Sequence, residues 1–264
     1  MTGTVLDQII VGVRADLEER RARTSLADLE LRIQNRPPAL DVLQRMREPG
    51  LSVISEVKRS SPSKGALATI DDPAALAARY EQGGASAISV LTEKHRFNGS
   101  LADLDAVRER VSIPVLRKDF VVDEYQVWEA RAHGADLVLL IVAALDDSQL
   151  ARLHRLVVDL GMTPLVEVHT EEEARRAADL GAELVGVNNR NLKTLEVDLG
   201  QFGRLVGLLG DETVKVAESG ILSPADAALV HGQGADVVLV GEALVRHGNP
   251  TEAIREMVAA AGTR

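Results

Sequence analysis

The stretch Gly134-Ala-Asp-Leu-Val-Leu-Leu-Ile-Val142 contains a unit that is repeated through most of the chain. It begins with a glycine that can end a helix in the left-handed conformation, and it leads directly into an apolar run. The same Gly-Ala pair begins at Gly84, Gly181 and Gly234, each time after a helical pattern. The spacing of about 50 residues holds two strand–helix units of ordinary size. Four such periods predict eight units.

Eight short apolar runs alternate with helical segments from residue 53 onward. The runs are Val53-Ile54, Ala87–Leu91, Pro114–Leu116, Leu137–Val142, Pro164–Val168, Leu184–Val187, Val214–Ala217 and Val237–Val240. Strands that alternate with helices pair in parallel through right-handed crossovers. Closure into a (β/α)8 TIM barrel takes about 200–250 residues, which residues 50–264 supply. The alternative is an open doubly wound sheet, but no strand is followed by its glycine fingerprint or by a Walker loop.

Capping residues mark the starts of the predicted helices. A cap followed by proline occurs at Asp72-Pro73 and Ser223-Pro224. Three further caps are each followed, three residues later, by an acceptor side chain, as in a capping box. These pairs are Ser100 with Asp103, Asp123 with Gln126, and Thr170 with Glu173.

The first 49 residues contain no strand pattern and are predicted to form a helical extension that precedes the barrel domain, residues 50–264. A helix over 4–23 is indicated by apolar residues at helical spacing. Those residues are Val5, Ile9, Val13 and Leu17. Shorter helices are predicted over 25–34 and 40–47, with prolines at 37, 38 and 49 as breaks.

Composition narrows the functional classes. Hydrophobic residues make up 45% of the chain but aromatic residues only 2%, so the core must be aliphatic. A net charge of −10 argues against general nucleic-acid binding, although it leaves room for a small basic pocket. There is no cysteine, so disulfides and thiolate chemistry are excluded. No signal peptide or long apolar span is evident, and a cytoplasmic protein without membrane partners is expected.

Polar residues follow six of the eight runs, at the end where barrel enzymes bind ligands. They are Glu56 and Lys58, Lys118, Glu167 and His169, Asn188 and Arg190, Glu218 and Ser219, and Gly241 and Glu242. Side chains two residues apart on a strand share a face, so Lys118 faces the same way as Leu116, and Arg117 faces the opposite way. Each lone charge has a structural alternative, such as a solvated ion pair. Together they predict a cavity of mixed charge suited to proton transfer.

Two glycine-containing turns follow the seventh and eighth runs. Ser219-Gly220 and Gly241-Glu242 stand where barrels often bind phosphate on backbone N–H groups, because glycine permits a close approach. The alternative interpretation is a pair of ordinary tight turns. The six histidines lack metal-ligand spacing, and His169 is the one nearest to the predicted rim. No metal is therefore expected, and because the chain also lacks cofactor-binding motifs, no cofactor is expected either.

These segments resemble the indole-3-glycerol-phosphate synthase family over nearly the whole chain. The matching segments are Ser55-Glu-Val-Lys-Arg-Ser-Ser-Pro-Ser-Lys-Gly65, Leu91-Thr-Glu93 with Phe97-Asn-Gly-Ser100, Pro114-Val-Leu-Arg-Lys-Asp-Phe120, Gly134–Ile141, Glu167-Val-His169, Gly186-Val-Asn-Asn-Arg-Asn-Leu192 and Glu218-Ser-Gly-Ile221. The family converts 1-(2-carboxyphenylamino)-1-deoxyribulose 5-phosphate into indole-3-glycerol phosphate, with loss of carbon dioxide and water. The resemblance implies the same activity, in tryptophan biosynthesis, and a helical extension over the barrel mouth.

The resemblance also implies catalytic roles. Lys118 is the general acid for ring closure, and Glu167 is the general base or the residue that orients Lys118. Lys58, held by Glu56, is the other candidate acid, for dehydration. Asn188 and Glu218 are polar supports in the same site.

For substrate binding, the resemblance implies contacts around the whole molecule. Ser61 and Arg190 are partners of the carboxylate, next to Pro62, although Ser61 could instead cap its loop. The phosphate end lies at Ser219, Gly220, Gly241 and Glu242. The aromatic ring lies between Leu91, Phe97, Phe120 and Leu139 or Leu140. Glu242 departs from the family pattern, which often has a small hydroxyl residue there, so a phosphate role for this side chain is in question.

Two other functions compete with this one. Lys118 could form a Schiff base, as in a barrel aldolase. A non-catalytic barrel scaffold is the alternative from a different class, but such a protein is expected to have a degraded rim. The partner expected from the sequence is a phosphorylated small molecule, and a monomer or weak homodimer is expected.

Overall fold

The computed structural model describes residues 4–61, 65–66, 70–191 and 194–262. Three helices precede the barrel: α1 (Val5–Arg23), α2 (Leu26–Gln34) and α3 (Val42–Met46). The three predicted helices are therefore confirmed, with α3 shorter than expected at both ends. Thr4 and Ser25 cap α1 and α2 through complete capping boxes, which explains where these helices begin. None of the described helices combines the length and the apolar character needed to cross a bilayer.

Eight parallel strands of the described chain close into a barrel, as the repeat predicts. They are β1 (Ser52–Val57), β4 (Ala87–Leu91), β5 (Val115–Lys118), β6 (Leu137–Ile141), β7 (Thr163–Val168), β8 (Leu184–Asn188), β9 (Val214–Glu218) and β10 (Val237–Val240). Neighbours pair in chain order, and β10 closes the barrel against β1. Two short strands, β2 (Ser60–Ser61) and β3 (Gly65–Ala66), pair antiparallel just after β1. The fold is a (β/α)8 TIM barrel rather than an open sheet.

Helices cover the outside of the barrel. They are α4 (Pro73–Gly83), α5 (Leu101–Arg110), α6 (Glu124–Ala132), α7 (Asp147–Asp159), α8 (Glu171–Asp179), α9 (Gly200–Leu205), α10 (Pro224–Gly232), α11 (Glu242–Arg246) and α12 (Pro250–Ala261), with short 3-10 helices at Val142–Ala144 and Val206–Leu208. The glycines of the repeat have φ between 72° and 120°, and the following alanine N–H returns to a helix carbonyl five residues back. This is the Schellman geometry. Gly161-Met162 adopts it as well, although methionine replaces the alanine of the repeat there.

The predicted caps accept hydrogen bonds from the first turns of their helices. These caps are Asp72, Ser100, Asp123, Thr170 and Ser223. None of the three expected reciprocal acceptors returns to its cap, and Asp103 accepts instead from the Arg59 guanidinium at 3.0 Å. Gln126 accepts from the N–H of Val122, and Glu173 accepts from the N–H of His169, at 2.9 and 2.7 Å. Both acceptors thus hold the residue just before the cap.

The extension packs against both ends of the barrel. On α1, Leu6, Ile9, Val13 and Leu17 are buried, and the first two line the cavity at the strand C-termini. At the opposite end Val42 and Met46 of α3 are fully buried in the core inside the barrel. The helical extension therefore supplies part of that core as well as a cover for the mouth.

Candidate active site

A cavity opens at the C-terminal ends of the strands, and most of the predicted site residues line it. Those residues are Glu56, Lys58, Leu91, Phe97, Lys118, Phe120, Leu139, Glu167, Asn188, Arg190, Ser219 and Glu242. The strands place them there because each of these side chains comes from the last pleats of a strand or from the loop that follows. Eight separate segments of sequence therefore converge on one cavity.

The remaining predicted residues lie around this cavity or outside the described chain. Glu218 contacts Lys118, and Gly220 and Gly241 belong to the adjoining turns. Leu140 faces the helix layer, so its predicted contact with the aromatic ring is wrong; Leu139 faces the barrel interior. Both faces of β6 are buried, so the apolar run alone did not show which of the two leucines points into the barrel. Pro62 and the side chain of Ser61 lie outside the described residues.

Lys118 stands at the centre of the charged groups. Its Nζ donates to Oε2 of Glu218 at 2.8 Å and lies 3.6 Å from Oε2 of Glu167. Burial alone would lower the pKa of Lys118, but the carboxylates of Glu218, Glu167 and Glu56 outweigh that effect and raise it above its usual range. Lys118 is consequently an ammonium at neutral pH, held ready to donate a proton or a hydrogen bond.

The pKa values of the two carboxylates that face Lys118 shift in opposite directions. Burial would raise the pKa of Glu167, but Lys118 and His169 hold it below its usual range. Burial raises the pKa of Glu218 to about 7, with Glu167 adding to the shift. Carboxylates with separated pKa values can take different roles in one site. Gly186 was missed as a site residue: a Cβ there would overlap the Glu218 carboxylate, so glycine is required beside it.

Lys58 and Glu56 form an ion pair at the end of β1. Burial would raise the pKa of the fully buried Glu56, but Lys58 and then Lys118 lower it overall, so Glu56 is ionised at neutral pH. Gly241 faces this pair, since a Cβ on it would come within 2.8 Å of Oε2 of Glu56. The glycine at the start of α11 therefore leaves room for the Glu56 side chain.

The loop after β8 is anchored to its own strand end and to the neighbouring one. Oδ1 of Asn188 accepts from the N–H of Arg190 at 3.0 Å, and Arg190 donates to the carbonyl of Leu195 at 2.9 Å. The buried Asn189 amide donates to the carbonyl of Ser219 at 3.2 Å. Ser219 has φ of 65°, a conformation unusual for serine, which this hydrogen bond helps to hold.

An apolar wall faces the charged groups. Phe97 and Phe120 have ring centroids 6.0 Å apart and tilted by 41°, a favourable aromatic arrangement. The wall also contains Val5 and Ile9, which belong to the apolar face predicted for the first helix. Leu6, Ile141 and Leu195 line it as well, and these three were not among the predicted site residues. The Glu93 carboxylate accepts three backbone N–H groups of residues 95–97 and so fixes the loop that carries Phe97.

Glu242 at the far side of the cavity forms an ion pair with Arg246 at 2.9 Å, one turn later on α11. This partner offsets the charge that would otherwise repel a phosphate. Among the described residues, no group of His, Asp and Glu side chains has the arrangement of a metal site. His133 and His231 bond to Asp105 and to the carbonyl of Ala235, as expected of structural histidines.

A closed (β/α)8 barrel with buried ammonium and carboxylate groups beside an apolar cavity defines a class, the barrel enzymes that work by acid–base chemistry. The family model for indole-3-glycerol phosphate synthase matches residues 6–257. The chain is 60% identical over 257 residues to indole-3-glycerol phosphate synthase 1 of Streptomyces coelicolor, covering 97% of this chain and 96% of the relative. It is 61% identical over 254 residues to the synthase of a Nocardioides strain, with 96% and 98% covered.

The chain belongs to the indole-3-glycerol phosphate synthase family, a family of carbon–carbon lyases in tryptophan biosynthesis. Solved structures add support for the fold alone. A 3-hexulose-6-phosphate synthase superposes with a TM-score of 0.62 at 19% identity, covering 81% of this chain and all of that one. A thiamine phosphate pyrophosphorylase from Pyrococcus furiosus gives 0.60 at 18% identity, covering 82% and 97%.

Proposed function

We propose that Lys118 is the general acid for the ring closure of the family reaction, in which 1-(2-carboxyphenylamino)-1-deoxyribulose 5-phosphate becomes indole-3-glycerol phosphate, carbon dioxide and water. The supporting observation is the ammonium of Lys118 between Glu218 and Glu167, with its Nζ 2.8 and 3.6 Å from their oxygens. As the aryl carbon attacks the ribulose carbonyl, the carbonyl electron pair moves to oxygen, which takes the proton. A developing alkoxide is more basic than an amine, so even a lysine of raised pKa can donate to it.

Two steps follow ring closure, the loss of carbon dioxide and the loss of water, and the second of them needs its own acid and base. Loss of the carboxylate returns its electron pair to the aromatic ring. Dehydration then requires an acid at the departing hydroxyl and a base at the neighbouring carbon. Lys58, held by Glu56, is proposed as that acid and Glu167 as the base, with Asn188 and Glu218 as polar supports. Both candidate groups line the same cavity.

The substrate is proposed to lie across the cavity with its ring on the apolar wall. Phe97, Phe120, Leu91 and Leu139 would contact the ring, and Arg190 would contact its carboxylate. The phosphate would lie at Ser219, Gly220, Gly241 and Glu242, at the ends of β9 and β10. The ion pair between Glu242 and Arg246 supports this placement, because it offsets the negative charge of the Glu242 side chain. The phosphate would then be bound by the backbone N–H groups of these turns.

We propose four further features of this protein. Residues 1–49 would form an extension and residues 50–264 the catalytic barrel, within one structural unit. The protein would act in the cytoplasm as a monomer or weak homodimer, without a nucleic-acid partner. Sedimentation of the purified chain over a range of concentrations tests the oligomeric state.

One assay tests the activity, and one trapping experiment tests the Schiff-base alternative. Indole fluorescence should grow from the carboxyphenylamino-deoxyribulose phosphate without an added cofactor. Borohydride added during turnover should leave the mass of the protein unchanged. A reduced adduct on Lys118 would instead favour covalent catalysis.

A further inference from the structure

Glu167 has a second cationic neighbour besides Lys118. His169, two residues further along, places its Nε2 3.3 Å from Oε1 of Glu167, an ion-pair contact rather than an aligned hydrogen bond. The other oxygen of Glu167, Oε2, is the one nearer to Lys118. The carboxylate is thus held between two cationic side chains, one on each oxygen.

His169 is in turn fixed by Glu173 of α8. Oε2 of Glu173 accepts from the backbone N–H of His169 at 2.7 Å and lies 3.2 Å from its Nδ1. A glutamate at this position of a helix usually accepts a hydrogen bond from the backbone N–H of the N-cap residue. Here Glu173 binds the histidine that precedes the cap instead. The side chains of Glu167, His169 and Glu173 are 4%, 7% and 15% exposed, so solvent screens these charges little.

The surroundings favour the charged imidazole. Burial alone would lower the pKa of His169, but Glu167 and Glu173 raise it to about 9. The helix α9 contributes the neutral Gln201, which donates to the His169 carbonyl at 3.1 Å, and Lys118 lies beyond Glu167. An imidazolium carries a proton on both ring nitrogens, so each nitrogen presents a positively charged N–H group to one of the two carboxylates.

We infer that His169, braced by Glu173, is a positioning residue that keeps the Glu167 carboxylate ionised and oriented toward Lys118. The inference rests on the role of Glu167 proposed above. Glu167 lines the cavity, and His169 and Glu173 lie behind it, outside the set of described side chains that form the cavity wall. They therefore act on the reaction through Glu167 and not by contact with the substrate.

Two variants separate this role from a merely structural one. His169→Gln keeps a hydrogen-bond donor but cannot carry a charge, and its kcat should fall by roughly tenfold or more, part of the usual contribution of proton transfer. Its KM should stay within about twofold of wild type, since His169 does not touch the cavity. Thermal melts identify any variant that fails to fold.

Glu173→Gln supplies the second test and keeps the side-chain volume. Loss of one carboxylate lowers the pKa of His169, so the imidazole loses its proton earlier as the pH rises. The kcat deficit of Glu173→Gln should therefore be small near pH 6 and grow toward pH 8.5. Glu172→Gln removes an equal charge from the exposed face of the same helical turn and should show no such trend.

Several results would overturn the inference. They are a folded His169→Gln variant with normal kcat, or a Glu173→Gln deficit that does not vary with pH. The variant Glu167→Gln distinguishes a failure of this inference from a failure of the role proposed for Glu167. If Glu167→Gln is impaired while His169→Gln is normal, only this inference fails; if Glu167→Gln is itself normal, both fail. Nitrogen NMR of labelled histidine adds a direct readout: His169 should be doubly protonated at pH 8 in wild type and lose that state in Glu173→Gln.

Discussion

At the scale of single residues, the site is a set of charges that control one another in a poorly screened volume. Lys118 keeps its proton because three carboxylates surround it, and Glu167 keeps its negative charge because Lys118 and His169 flank it. Such interactions are several times stronger than in water. The sequence indicated these residue types through their strand ends, and strand parity correctly set Lys118 inward and Arg117 outward, where it meets Asp119 and Glu129. The sequence provided no information on the distances between these side chains, which determine their pKa values.

Glu218 should make the stability of the fold depend on pH. Its pKa rises from an ordinary 4.5 to about 7 in the folded protein, mainly through burial. A raised carboxyl pKa stabilises the fold fully below the unfolded value, and that contribution is lost as the pH rises through the folded value. Glu218→Gln removes this loss, so its Tm relative to wild type should increase by a few degrees between pH 5 and pH 8. A constant or falling Tm difference between the two proteins would refute the assignment.

At the scale of elements, local chemistry determined the helix and strand boundaries well. Gly84 and Gly134 end their helices as the repeat predicts, and Ser100 caps α5. The predictions that were wrong at this scale have a common cause. The hydrogen-bond partner of Glu173 and the side of the sheet to which Leu140 points both depend on how a helix or strand packs in three dimensions. No local sequence pattern records that packing.

The turn after β9 tests the phosphate site. Gly220 has φ of 82°, and a Cβ there would meet Val197 and Leu199 of the neighbouring loop. Gly220→Ala should therefore displace the turn and raise KM by roughly tenfold, or about 1.4 kcal/mol of binding. Gly161→Ala is the matched control, because its φ is 78° but a Cβ there would have no neighbour within 4 Å. If Gly220→Ala folds and binds inorganic phosphate as wild type does, the phosphate lies elsewhere.

At the scale of the whole molecule, the N-terminal extension holds the barrel at both ends. The first turns of α1 cover the mouth, and its C-terminal end is held on α6, where Arg20 pairs with Glu129 at 2.8 Å and the Tyr125 hydroxyl donates to the carbonyl of Thr24. α3 fills the opposite end. The sequence showed that these helices have apolar faces but could not show where the faces dock, since amphipathic spacing does not encode a partner.

Two truncations should separate the functions of these helices. Deleting residues 1–23 removes the cover and should leave a cooperatively folded barrel with a raised KM and a lower kcat, because water enters the site. Deleting residues 1–47 also removes Val42 and Met46 from the inner core, which should cost about 3–6 kcal/mol in addition. Thermal melts and steady-state kinetics on both chains make the comparison. Unchanged kinetics in the shorter deletion would show that α1 does not act as a cover.

The central claim is that Lys118 supplies the proton for ring closure, and the most direct measurement is the kcat of Lys118→Met. This variant keeps the bulk of the side chain and removes its proton. The matched control is Lys215→Met, which removes a lysine whose Nζ donates to backbone carbonyls at the other end of β9. Indole formation should fall by at least about 100-fold in Lys118→Met and stay near normal in the control. A folded Lys118→Met variant with near-normal turnover would contradict the account.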